Sequence, residues 1–327
     1  MEELKQYRVV ITRPILEVAL EPLRKRFTVY VHDKPAEEGP LTEDELIAIG
    51  REAHALMTMP SDPVTARVMD GCPHLKIIAQ HAVGVDNIDL EAAQARGIVV
   101  TNTPGVLTDS TADFAFALLL AVTRHVLPAD AYVRAGKFKR WETMLMLGME
   151  LRDKTLGIVG MGRIGKAMAR RALGFGMKII YHNRRPTNPT DERLLSAEYV
   201  SFPELLERSD VISIHAPLTD TTYHLFDRKA FEQIKPGAYL INTARGAIVD
   251  EEALVAALKS GRLAGAGLDV FEHEPKVHPA LLSMDNVVLA PHLGSATVEA
   301  RTRMGLTAAE AIIACLSGAE KIPHRVV

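Results

Sequence analysis

Apolar, β-branched runs alternate along the chain with stretches of helical periodicity, the pattern of an α/β protein built on parallel sheets. In the first third such runs fall at Tyr7–Thr12, Val29–His32, Ala55–Thr58, Lys76–Gln80 and Ile98–Thr101. Each precedes a helical pattern or a Gly/Pro break and predicts a strand. A long helical block then runs from Thr108 to Arg124, with Thr108-Asp109-Ser110-Thr111 as cap candidates, and reads as a connector between domains. After a second helix and a loop around Trp141, a new strand–turn–helix series opens at Thr155 and continues at Lys178–His182, Val211–His215, Ala238–Asn242, Gly265–Val270 and Val287–Ala290. Six short strands with helices between them match one doubly wound, nucleotide-binding sheet. The last amphipathic segment, Ala296–Leu316, is helical, and if it packs back on the first strands that domain is discontinuous.

The 327 residues exceed the usual size of one hydrophobic core, so two domains are expected. A net charge of −3 with both signs interspersed offers no basic stripe to a nucleic acid and no polybasic segment to a membrane. The longest apolar run, Ala115 to Val122, falls far short of the roughly 20 residues that cross a bilayer and reads as a buried helix segment. Met1-Glu2-Glu3-Leu4-Lys5 has neither the cationic start nor the apolar stretch of a signal peptide, which predicts a cytoplasmic protein. Cys72 and Cys315 are far apart with no metal-type spacing, and are expected to be free thiols, with no metal site.

Gly160-Met161-Gly162-Arg163-Ile164-Gly165 follows an apolar strand and opens a helix over Ile164–Phe175. The first glycine allows the tight turn, the second lets backbone approach a pyrophosphate, and the third lets helix and strand pack closely. The N–H groups at the helix start favour phosphate charge. At the end of the next strand a protein that binds NAD usually carries an acid for the ribose 2′-hydroxyl. Here the chain reads Tyr181-His182-Asn183-Arg184-Arg185-Pro186, with no acid until Asp191. Asn183, Arg184 and Arg185 offer donors to a 2′-phosphate instead, which predicts NADP as the preferred cofactor, with NAD possible.

Three polar groups stand at the C-terminal ends of successive predicted strands, where open α/β sheets hold ligands. They are Arg245 in Asn242-Thr243-Ala244-Arg245-Gly246, Glu274 after Gly267-Leu268-Asp269-Val270-Phe271, and His292 in Pro291-His292-Leu293-Gly294-Ser295. Reduction of a 2-oxo acid needs a cation for the carboxylate and carbonyl, which suits Arg, and a proton donor for the developing alkoxide, which suits His. A carboxylate beside that His favours its charged form and fixes the ring. A second constellation, His81-Ala82-Val83-Gly84-Val85-Asp86-Asn87-Ile88-Asp89, follows the strand Lys76–Gln80, where a Gly can expose backbone N–H groups to an anion.

Together these motifs resemble the D-isomer-specific 2-hydroxyacid dehydrogenase family over nearly the whole chain. The resemblance implies a Rossmann cofactor domain, 103–294, inserted in a flavodoxin-like substrate-binding domain, 1–102 and 295–327, with an interdomain cleft. It implies Arg245 as substrate binder, Glu274 as the partner of His292, and His292 as general acid/base. Thr111, Pro217, Thr243, Ala244, Asp269 and Gly294 fall in the cofactor set beside Gly160, Gly162, Arg163, Ile164 and Gly165. Val83, Gly84 and Met59 fall on the substrate side. Within the family the likeness is strongest to glyoxylate/hydroxypyruvate reductases, through Ala82–Asp89, Thr101–Asp109 and Thr111-Ala112-Asp113. Trp141 and Leu147-Gly148 are similar to their dimer-contact loop, which implies a homodimer.

Pro60, in Leu56-Met57-Thr58-Met59-Pro60-Ser61-Asp62, departs from the Leu of that pattern, and a proline removes a donor and fixes φ. An NAD-linked 3-phosphoglycerate dehydrogenase is the enzymatic alternative, but Met57, Met59 and Pro60 offer no cation to a substrate phosphate. A non-enzymatic, dinucleotide-sensing binding protein like the family's corepressors shares the same catalytic residues, so the triad alone does not separate it from an enzyme.

Overall fold

The computed structural model describes residues 2–327; Met1, where the N-terminal reading begins, lies outside them. The chain divides into two compact units. One runs to Leu107 and resumes at Ala296; the other is Thr108–Ser295. The sequence reading puts the first boundary at 102/103. Residues 103–107 instead belong to the first unit, where the Thr103 N–H donates to the Ala82 carbonyl at 2.9 Å, beside the Asn102 side chain, which donates to the Val83 carbonyl at 2.8 Å.

The first unit is a five-stranded parallel sheet of β1 (Arg8–Ile11), β2 (Thr28–Val31), β3 (Ala55–Thr58), β4 (Ile77–Gln80) and β5 (Val99–Thr101), in the order β2-β1-β3-β4-β5. β3 and β4 are buried at every position, which is why they read as continuous apolar runs rather than alternations. One face packs Val9, Ile11, Leu20 and Ile77 against Ala308, Ala309, Ile312 and Leu316 of the helix Val298–Leu316. That helix crosses Glu17–Arg24 closely at Gly305, where an added Cβ would stand 2.5 Å from the Ala19 Cβ. Beyond it the chain pairs antiparallel with β5, the Val326 N–H donating to the Val100 carbonyl at 2.7 Å and the Asn102 N–H to the His324 carbonyl at 3.2 Å.

The second unit is a seven-stranded parallel sheet of β6 (Thr155–Val159), β7 (Lys178–His182), β8 (Ala197–Tyr199), β9 (Val211–Ile214), β10 (Ala238–Asn242), β11 (Leu263–Leu268) and β12 (Val287–Leu289). The order is β12-β11-β10-β9-β6-β7-β8, so the winding reverses between β6 and β9, the switch point at which such sheets hold ligands. Two differences from the sequence reading stand out. The sheet has a seventh strand, β8, a short and largely exposed edge that carries no apolar run. The helix Thr108–Thr123 is no connector: Ala115, Phe116, Leu118, Leu119 and Val122 are buried with Leu156, Ile158 and Met168 in the core of the second unit. It reaches β11 through Gly267, whose added Cβ would stand 2.9 Å from the Leu118 Cβ. The same glycine-rich stretch, Leu263–Leu268, weakens the strand signal and explains why the strand begins two residues before the expected Gly265.

Candidate active site

Each glycine of the fingerprint has its own geometric reason. Gly160 sits at φ +98°, a left-handed conformation that L side chains rarely adopt, and an added Cβ would lie 2.5 Å from the Ala216 nitrogen beyond β9. At Gly165 an added Cβ would lie 2.3 Å from the Gly160 carbonyl oxygen, so this glycine lets the helix Arg163–Gly174 close on its own turn. Gly162 is the N-cap of that helix, makes no side-chain cap and has nothing within 4 Å of where its Cβ would be. Open space above free helix N–H groups is what a pyrophosphate requires.

Around that turn the Asn183 side-chain oxygen accepts from the Met161 N–H at 2.7 Å, tying the end of β7 to the glycine loop. Arg163, Arg184 and Arg185 are exposed, and none of the three is held by a hydrogen bond or ion pair among the described residues. Asp191, the nearest acid, is occupied by Lys166 and Asn188. Pro217, after β9, is exposed, and its carbonyl accepts from the Thr222 hydroxyl. The Thr243 hydroxyl is buried without a partner. An uncapped helix start, a glycine with room over it, three free guanidinium groups and an orphaned hydroxyl fit a dinucleotide.

Arg245, Glu274 and His292 follow β10, β11 and β12, which are neighbours in the sheet, so all three leave the same edge. His292 Nδ1 lies 2.9 Å from Glu274 Oε2, and Glu274 Oε1 accepts from the Phe271 N–H at 3.0 Å. Asn242, almost fully buried, shapes the arginine loop: its amide donates to the Arg245 carbonyl at 2.9 Å and accepts from the Ala244 N–H at 3.0 Å. Gly246 lets that loop close on the β11 loop, since an added Cβ would stand 1.9 Å from the Phe271 carbonyl carbon.

Asp269 holds the histidine loop. Its carboxylate accepts from the Leu293 N–H at 2.6 Å and the Gly294 N–H at 2.7 Å, and its carbonyl accepts from the His292 N–H at 2.9 Å. These bonds offset the left-handed φ of +57° at His292. Burial pushes the Asp269 carboxyl above its ordinary value, against the pull of the two N–H donors. Thr111 packs with this loop: an added Cβ at Gly294 would lie 3.3 Å from the Thr111 methyl.

In the first unit the carbonyls of Val83 and Gly84 are engaged, by Asn102 and Gln80 respectively, while their N–H groups donate to nothing among the described residues. A loop with occupied acceptors and free donors is a place for an anion. Met59 precedes Pro60 on the neighbouring loop, with its N–H held by Asp62 at 2.8 Å.

The sequence reading missed two supports. His224 and Glu272 pair at 2.7 Å, and the Glu251 and Glu272 N–H groups each donate to the other's carboxylate, at 3.2 and 2.9 Å, bracing the segment after Arg245. No spacing announces them. Gln80 carried a signal that went unused, because it is the polar residue of a strand buried at every position.

Residues 116–294 match the family described as D-isomer specific 2-hydroxyacid dehydrogenase, NAD binding domain. The chain is 51% identical to a glyoxylate reductase of Thermococcus litoralis, over 98% of this chain and 96% of that protein. It is 49% identical to one of Aeropyrum pernix, over 99% and 96%. Among solved structures it resembles an NADPH-dependent glyoxylate/hydroxypyruvate reductase of Sinorhizobium meliloti in complex with NADP and malonate. There the TM-score is 0.85 and the identity 36%, over 98% of this chain and 97% of that one. Matches of this extent define an oxidoreductase with an NAD-binding domain. The chain belongs to the D-isomer specific 2-hydroxyacid dehydrogenase family.

Proposed function

We propose that this enzyme reduces glyoxylate, and hydroxypyruvate beside it, to the 2-hydroxy acid, and that it prefers NADPH to NADH. The observation that carries the reaction is the His292–Glu274 hydrogen bond, formed on the sheet edge that also bears Arg245. Glu274 occupies Nδ1, which leaves Nε2 of His292 as the nitrogen that gives a proton to the substrate's carbonyl oxygen. Arg245 holds the carboxylate and polarises the carbonyl, and the N–H groups of Val83 and Gly84 take the carboxylate's remaining charge. Met59 lies on the substrate side. The cofactor, when bound, supplies the hydride to C2. The residues that would hold it are Gly160, Gly162, Arg163, Ile164 and Gly165 at the pyrophosphate, Asn183, Arg184 and Arg185 at the ribose with Pro217, and Thr111, Thr243, Ala244, Asp269 and Gly294 towards the nicotinamide. One hydride and one proton convert the 2-oxo acid into the 2-hydroxy acid.

The free guanidinium groups of Arg184 and Arg185 support the NADPH preference, since a charge-assisted phosphate bond contributes about 1.5–3 kcal/mol. A panel of 2-oxo acids assayed with both cofactors tests the whole reading. NADPH should win by at least roughly tenfold in kcat/KM, and the double replacement of Arg184 and Arg185 by Ala should erase that margin with little effect on NADH. Equal use of both cofactors by the unaltered enzyme contradicts the preference. The reading includes a homodimer, supported by exposed apolar side chains between the helix Val126–Arg134 and the loop after it: Val133, Phe138, Trp141, Met144 and Leu147. A monomeric mass by light scattering would count against it.

A further inference from the structure

Beneath the Val83–Gly84 loop lies a connected set of polar side chains to which the reaction scheme gives no task. Thr12, Thr58, Asp62 and Gln80 are fully buried. The Thr58 hydroxyl donates to the Gln80 side-chain oxygen at 2.7 Å, and the Gln80 amide donates to the Gly84 carbonyl at 3.2 Å and to Asn87 Oδ1 at 2.7 Å. Asn87 in turn donates from Nδ2 to the Met59 carbonyl at 3.1 Å and the Asp62 carbonyl at 2.8 Å. The acceptor and both donors of the Asn87 amide are thus used, and no other side chain of its size offers that set. Backbone follows the same line, the Val64 N–H donating to the Asn87 carbonyl at 3.0 Å. From the other side Asp62 Oδ2 accepts from the Met59 N–H and from the Thr12 hydroxyl. Both main-chain groups of Met59 are therefore held by side chains, and Pro60 behind it has its φ fixed.

We infer that Asn87 is a positioning and specificity residue: it locks the Met59 loop to the Val83–Gly84 loop, so that the gap between the carboxylate anchor and the Met59 side chain is fixed and limits the C3 substituent of the 2-oxo acid. The inference rests on the reading of Val83 and Gly84 as the carboxylate site. Glyoxylate has no C3 atom and hydroxypyruvate has one, so a loosened gap acts differently on the two. Loss of the Asn87 amide leaves the Asp62 carbonyl without its partner and removes one bond each from the Met59 carbonyl, which keeps the Asp62 N–H at 3.0 Å, and from the Gln80 amide, which keeps the Gly84 carbonyl at 3.2 Å. The tie between the two loops is then reduced to the backbone bonds of Val64 with Asn87 and Asp89, and loosens.

The test is steady-state kinetics of Asn87→Ala and of Thr12→Val, which is isosteric and acts at the far end of the same chain of bonds. Asn87→Ala should raise KM for glyoxylate about tenfold, equivalent to ~1.4 kcal/mol, change kcat much less, and shift the glyoxylate to hydroxypyruvate ratio of kcat/KM towards hydroxypyruvate. Thr12→Val should move both in the same direction by a smaller factor, and it decides the matter alone if Asn87→Ala does not fold. NADPH affinity, followed by fluorescence titration, should stay at the wild-type value in both, which a general loss of structure would not allow. Hydrogen exchange of the wild-type segment 82–86 with NADPH, with and without oxamate, checks the carboxylate site itself. Slowed exchange with an unmoved KM and an unmoved substrate ratio in the variants overturns the role of Asn87 and leaves the site standing. Unchanged exchange removes the carboxylate site, and the inference with it.

Discussion

A histidine that shares one ring nitrogen with a carboxylate has a single nitrogen left for chemistry, and here Glu274 makes that choice for His292. His292→Ala should lower kcat by roughly 10²- to 10⁴-fold while NADPH still binds. Reduction draws a proton from the ring and oxidation returns one to it, so the loss should appear in both directions. Glu274→Gln takes away the carboxylate that holds Nδ1 of His292, and kcat should fall in both directions with substrate binding largely kept. Steady-state kinetics in both directions check this, and a wild-type kcat in either variant would contradict it. Arg245→Ala should damage KM and kcat together. Gly246→Ala should cost about 2 kcal/mol or more of stability, read by urea unfolding, because the Phe271 main chain has nowhere to retreat. The placing of Arg245, Glu274 and His292 after neighbouring strands was legible in the sequence because apolar runs mark where those strands end. The obligation on Gly246 was not legible, since it depends on a backbone that another strand delivers.

At the scale of elements, the strand–turn–helix around Gly160 divides one motif between folding and binding. Gly165→Ala should destabilise the fold, with its Cβ against the Gly160 carbonyl. Gly162→Ala meets no protein atom, so its melting temperature should match the wild type while its cofactor affinity falls, by titration, at least about tenfold. A normal affinity in Gly162→Ala would mean that the open space over the helix start is not where the pyrophosphate lies. Most strands were readable because doubly covered parallel strands are nearly continuous apolar runs, as β3, β4 and β10 are up to their last residue. β8 escaped notice because an exposed edge strand buries too little to need apolar residues. Helix Thr108–Thr123 was found to within a residue and placed inside the 103–294 domain, but read as a connector rather than as part of that domain's core. Its apolar face gives no sign of which core it enters, and the small residues that receive it lie in the distant strand β11.

Over the whole molecule, acid should act through two histidines, the buried His81 and the half-buried His215. Burial pulls His81 from its ordinary 6.5 to about 4, with the charge of Arg301 acting the same way, and burial pulls His215 to about 4. The unfolded chain takes up these protons below about 6.5 and the folded chain only near 4. Stability is therefore intact above that window and falls as pH drops through it, by about 3 kcal/mol for His81 alone. Asp62 and Asp269, whose carboxyls burial pushes up, bind protons more readily when folded, and partly offset the loss at the acid end. Melting temperature between pH 7 and pH 4 checks this, and His81→Gln should flatten the slope. The same architecture sets an order of events during synthesis. The inserted unit, Thr108–Ser295, is continuous and can fold as soon as it leaves the ribosome, whereas the sheet that precedes it waits for the helix Val298–Leu316 to cover Val9, Ile11 and Ile77. Those strands are made first and completed last, so while the intervening unit is translated their bare apolar face is the part of the nascent chain that most needs a chaperone.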